Sequence, residues 1–99
     1  MNIDQGDILK VEQIGSPVLV VSKNSFNQSE QSLCCPIVKK TFSDPLHIPI
    51  SSKEIEGVVQ CEQIKIIDLK YRGCSKIGSL DLADIMNITD AIQGIFDYY

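Results

Sequence analysis

Few side chains in this sequence could do chemistry, and they are unevenly spread. His47 is the only imidazole in 99 residues. Histidine is the one side chain whose ordinary titration falls near neutrality, which makes His47 a candidate proton carrier, although the sequence fixes no partner for it and a packing role is the plainer reading. Cys34 and Cys35 are adjacent while Cys61 and Cys74 stand alone, so no CxxC knuckle exists. The four thiols are therefore expected to be reduced and mostly buried, with no metal site. None of the nine Lys and Arg residues lies beyond Lys76, whereas Asp81, Asp84, Asp90 and Asp97 occupy the tail. A net charge of −4 argues against a chain coated in positive potential. Two local basic clusters could still meet phosphates: Lys39 with Lys40, and Lys70 with Arg72 and Lys76. There is no P-loop, GxGxxG, HExxH or GxSxG, so a standard cofactor enzyme is not expected and no cofactor is assigned.

The elements that must position these groups are mostly strands. Asp7 to Gln13 alternates, with Leu9 and Val11 inward and Lys10 and Glu12 outward. Pro17 to Ser22 is a short β-branched run suited to a strand buried on both faces. Lys23 to Ser32 is polar, with Phe26 as its anchor, and reads as a surface loop. Leu33 to Lys39 resumes a strand, and Pro36 within it implies an edge, a bulge or an unpaired position. Leu46 to Ile50 places Leu46, Ile48 and Ile50 on one face and His47 on the other.

Gly57 to Leu69 changes its apolar phase partway, as expected of a long strand that serves both halves of the core in a small coiled barrel. Lys70 to Gly73 reads as a loop and Lys76 to Leu80 as a short strand. Asp81 is a suitable N-cap, with Asp84 three residues on. Leu82, Ile85, Ile88, Ile92, Ile95, Phe96 and Tyr99 then form a helical stripe, which predicts a helix over about 82–98 that closes an open barrel end. Tyr98 and Tyr99 are expected to pack. The fold class is thus mainly β (α+β), in one domain over 1–99, since 43% hydrophobic composition at this length builds one core and no second. No apolar run approaches the roughly 20 residues that cross a bilayer, and no signal peptide is visible, so a cytoplasmic location is expected.

The order of these segments resembles the MazF/PemK-like toxins of bacterial type II toxin–antitoxin systems, from Gly6 onward. GDILKV at 6–11 is similar to the family's opening strand, and SPVLVVSKNSFN at 16–27 is similar to its R-P-x-[LV]-[VI]-[LV]-S…[FY]-N segment. LCCPIVKK at 33–40, PLHIPI at 45–50 and GVVQCEQIKIIDL at 57–69 resemble the later strands, followed by Arg72, Gly73 and KIG at 76–78.

The resemblance implies an SH3-like barrel of five to seven strands that forms a homodimer and partners an antitoxin with an acidic, disordered tail. In most members it also implies a metal-independent ribonuclease acting on single-stranded RNA. Ribonuclease chemistry needs a base for the 2′-OH, a cation at phosphorus and an acid for the leaving oxygen. The family's arginine and threonine positions are occupied here by Ser16 and Val38, and the connection before Ser16 is short, so weakened cleavage is expected. Lys39 and Lys40, where the strand ends, are the candidate substitutes, with Ser16 as a hydrogen-bond donor and His47 as a lesser proton carrier. Lys70, Arg72 and Lys76 are the candidate RNA contacts. The competing expectations are a non-catalytic dimeric module binding antitoxin or RNA and, less strongly, a gyrase inhibitor of the CcdB-like branch.

Overall fold

The computed structural model describes residues 2–96. Seven strands run through it: β1 Asp7–Val11, β2 Val18–Val20, β3 Gln31–Val38, β4 His47–Ser51, β5 Glu56–Gln60, β6 Lys65–Asp68 and β7 Cys74–Ser79. Three helices accompany them: α1 Asn24–Asn27, α2 Leu69–Arg72 and α3 Leu82–Gly94. All pairings are antiparallel, in the order β4-β5-β3-β2-β1-β7, with β6 joined to β3. The sheet coils as the barrel reading expects, but it is not closed: β4 and β7 remain its two ends.

The expected long strand over 57–69 is two strands. A 3₁₀ turn at Cys61–Gln63 interrupts it. As a result β3 carries β6 along its first half (Gln31↔Asp68 to Cys34↔Lys65) and β5 along its second (Ile37↔Val59, Val38↔Val58). The change of apolar phase in the sequence is the signature of this turn. Gly57 lets β5 come close to the end of β3, because a Cβ there would lie 2.8 Å from the Val38 carbonyl oxygen.

The central strands bury both faces. Ile8, Leu19, Cys35, Ile37 and Val59 pack with Ile88 and Ile92 of α3 in the larger core. Leu9, Val11, Val18, Val20, Cys34, Ile67 and Leu69 form the second core on the opposite face. Helix α3 begins as expected, with Asp81 Oδ1 accepting the Asp84 N–H at 2.9 Å. Its stripe is only partly used: Ile88 and Ile92 are buried and Ile85 packs against the core, but Leu82 is 69% and Phe96 77% exposed. Tyr98 and Tyr99, and the end of the expected helix, lie outside the described residues.

The polar segment 23–32 is more structured than a loop, since it contains α1 and the start of β3. Its anchor is Asn27 rather than Phe26, which is 39% exposed. The Asn27 carboxamide accepts from the hydroxyls of Ser22 and Ser32 and donates to the Ser22 carbonyl at 3.0 Å. That closed set of bonds explains why a buried amide is tolerated here. The expected loop at 70–73 is largely the short helix α2.

Candidate functional site

Ser16 and Arg72, reached from different arguments, enter one open groove of about 720 Å³. Gln13, Ile14, Gly15 and Ser16 line it from the β1–β2 connection, and Gln31, Cys34 and Pro36 line it from β3. Gln60 caps the 3₁₀ turn and Gln63 ends it, and Lys65, Ile66, Ile67 and Asp68 come from β6. Val18, Cys34 and Ile67 belong to the second core, so the groove floor is the outer surface of packed apolar residues.

Local geometry fixes both walls. Gln13 has φ 68°, a left-handed conformation that lets the chain turn back immediately after β1, with Ile14 N–H donating to the Val11 carbonyl at 3.2 Å. Across the groove, Asp68 Oδ1 accepts the Tyr71 N–H at 3.0 Å and starts α2 directly after β6. The two walls are tied by the Glu12 N–H, which donates to the Gly73 carbonyl at 3.1 Å. Arg72 is therefore held beside the turn that carries Gln13 and Ser16.

The cations predicted from sequence have different surroundings. Lys70 Nζ lies 3.4 Å from Glu30 Oε2, outside the groove. Lys76 Nζ lies 2.9 Å from Oδ1 of buried Asp7, whose other oxygen accepts the Asp4 N–H at 2.9 Å. The hydrogen bond to Asp7, with its charge, raises the lysine pKa. Arg72 and Lys65 form no ion pair among the described residues. Lys65 was not singled out from sequence. Its only signal is a lysine between the apolar residues Ile64 and Ile66, which marks an outward-facing strand position.

Lys39 and Lys40 are exposed beyond the end of β3 and do not line the groove. Val38, next to them, is half-buried and shares the face of Cys34 and Pro36 by the two-residue period of the strand. His47 has the partners that the sequence left open. Its Nδ1–H donates to the Phe42 carbonyl at 3.0 Å, and its Nε2 meets the Glu62 carboxylate. The Phe42 bond first, then Glu62, raises its pKa above the usual 6.5. Both ring nitrogens are thus occupied.

Burial pushes the Cys34 thiol up to about 12, so the one cysteine in the groove is no nucleophile near neutrality. Cys35 is likewise raised to about 12 and Cys61 to about 11. No group of three metal-ligating side chains occurs among the described residues. The groove can do two things chemically. It can grip phosphates with Lys65 and Arg72, and it can offer neutral amides and a hydroxyl to bases or sugars.

Comparison with known proteins bears on the family and the fold. The chain is 30% identical over 87 residues to the endoribonuclease toxin MazF of Escherichia coli, covering 78% of each protein. It is 35% identical over 71 residues to the endoribonuclease toxin ChpB of the same organism, a match that spans 65% of this chain and 60% of ChpB. Its fold superposes on a chain of a MazE–MazF crystal structure from Deinococcus radiodurans with a TM-score of 0.87 at 16% identity, covering 96% of each chain. A mycobacterial endoribonuclease crystallised with its cognate antitoxin gives a TM-score of 0.83 at 16% identity, covering 98% of this chain and 99% of that one. The family model for the PemK-like, MazF-like toxins of type II toxin–antitoxin systems matches residues 4–96, and the chain belongs to that family.

Proposed function

We propose that this chain is a metal-independent endoribonuclease toxin that takes single-stranded RNA into the groove between the β1–β2 turn and α2. The observation that carries this reading is the meeting of Ser16, Lys65 and Arg72 in one groove over the second core. Lys65 and Arg72 hold the RNA backbone, with Arg72 offering the two-pronged grip that a lysine lacks. Lys39 or Lys40, exposed outside the groove lining beyond the end of β3, supplies charge to the scissile phosphate where the RNA runs out of the groove past Pro36, and Ser16 donates a hydrogen bond. Cleavage is slow, because one missing pre-organised donor costs on the order of 2.7–4 kcal/mol, or about 10²–10³ in rate. The protein acts as a homodimer in the cytoplasm and is silenced by an antitoxin whose acidic segment competes for the same cations.

The test is incubation of pure protein with single-stranded RNA in EDTA. Discrete products that disappear when Lys39 and Lys40 are both changed to Ala support the reading. Intact RNA from wild type and from Ser16→Arg alike overturns it. A second reading, a non-catalytic module that binds RNA or antitoxin, is favoured by Ser16 and Val38 standing where the family resemblance puts arginine and threonine. It predicts binding in the groove with no products.

A further inference from the structure

We infer that His47 is a positioning residue, a protonated tie that holds the β3–β4 loop to the 3₁₀ turn at the groove's edge. The side chain is only 5% exposed and bridges two elements that are distant in sequence. On one side its Nδ1–H donates to the Phe42 carbonyl at 3.0 Å, with Thr41 Oγ1 at 3.4 Å from the same nitrogen and the Phe42 ring edge-on at 4.8 Å. On the other side its Nε2 meets Glu62, which lies between groove residues Gln60 and Gln63. Asp44 shapes the loop from within, accepting the Leu46 N–H at 2.8 Å and the His47 N–H on its carbonyl at 3.0 Å.

The chemistry of these two bonds selects the protonation state. A carbonyl accepts only, so Nδ1 carries a proton. In neutral His47 the other nitrogen would then present a lone pair to a carboxylate, and the two would repel. Only the imidazolium donates on both sides. The charged groups facing it are Glu62 from the 3₁₀ turn and Asp44 from the loop, both acidic and both favouring that form. The tie therefore holds at low pH and loosens as the imidazole deprotonates. When it loosens, the Cys61 N–H bond to the Leu46 carbonyl at 2.9 Å still joins the end of the loop to the turn, but residues 41–44, which follow Lys39 and Lys40, lose their anchor to it. This consequence for RNA rests on the groove reading; the tie itself does not.

The experiment uses the full chain, in which the single histidine gives one unambiguous imidazole resonance. Its pH titration is followed by NMR together with the amides of residues 41–44 and Leu46, in wild type and in Glu62→Gln. The introduced amide can donate to the neutral ring, so this variant keeps the tie and removes the need for charge. Wild type is expected to titrate above 6.5, with the loop amides moving at the same midpoint and affinity for a short single-stranded RNA falling through it at constant ionic strength. In Glu62→Gln the imidazole midpoint shifts down, and the loop amides and RNA affinity stay flat across the wild-type midpoint. A wild-type midpoint at or below 6.5, or one unchanged by Glu62→Gln, overturns the tie, as do loop amides that do not titrate. RNA binding absent at every pH would instead overturn the groove reading, while the imidazole and loop titrations still decide the tie.

Discussion

The two faces of the sheet are built from neighbouring residues of the same strands yet end differently. Under α3, Ile8, Leu19, Cys35 and Val59 are sealed by Ile88 and Ile92. On the other face, Val18, Cys34 and Ile67 are nearly as well buried, but what covers them is a pair of turns with a groove between. The buried side chains of the helix face pack against one another, and changes among them can be judged by volume. The groove face combines packing with polar groups that, among the described residues, find no ion pair, as Lys65 and Arg72 show. On the proposed reading, stability and recognition are separated by one strand thickness.

That separation is open to direct attack. Ile88→Ala should cost about 2–5 kcal/mol of stability, the usual range for emptying a buried aliphatic site, and should leave the RNA affinity of the folded fraction unchanged. Denaturant titration beside binding measurements checks both halves. Ser16→Arg should do the reverse, raising single-turnover cleavage by about 10²–10³ with little change in melting temperature. Arg72→Ala should weaken RNA binding and reduce the slope of log affinity against log salt by about one phosphate contact, whereas Lys70→Ala, whose charge already faces Glu30, should change the slope less.

The smallest expected effect is on stability against pH. Because the folded pKa of His47 lies above its unfolded value, its contribution is complete below about 6.5 and is lost as pH rises through the raised midpoint. Wild type should therefore lose melting temperature across that window relative to Glu62→Gln. A parallel decline in both proteins would place the effect elsewhere.

Much of the sheet was legible because alternation is a local property. The Pro17–Ser22 run was expected to be buried on both faces, and Val18, Leu19 and Val20 are. The Asp81 cap was legible for the same reason, since cap and partner are three residues apart. What was not legible depends on distant partners. Nothing near Lys76 in sequence announces Asp7, and nothing near His47 announces Glu62. The 3₁₀ turn at Cys61–Gln63 was visible only as a change of phase, which a continuous twisted strand explains equally well from sequence. The buried set formed by Ser22, Asn27 and Ser32 was hidden because polar residues crowded together look like solvent-exposed loop. The groove is half legible: Ser16 and Arg72 stand out in the sequence, while nothing local marks Lys65, Gln60 and Gln63 as sharing a groove with them.

The claim that most needs testing is that RNA lies between the β1–β2 turn and α2. Photo-crosslinking with a short 4-thiouridine-substituted single-stranded RNA, followed by peptide mapping, addresses it without requiring cleavage. The account predicts adducts on residues 13–16, 60–67 and Arg72, reduced in Arg72→Ala and by added salt. Adducts confined to α3 or to the surface around Glu30 and Lys70, with residues 13–16 and 60–67 unmodified, would contradict it.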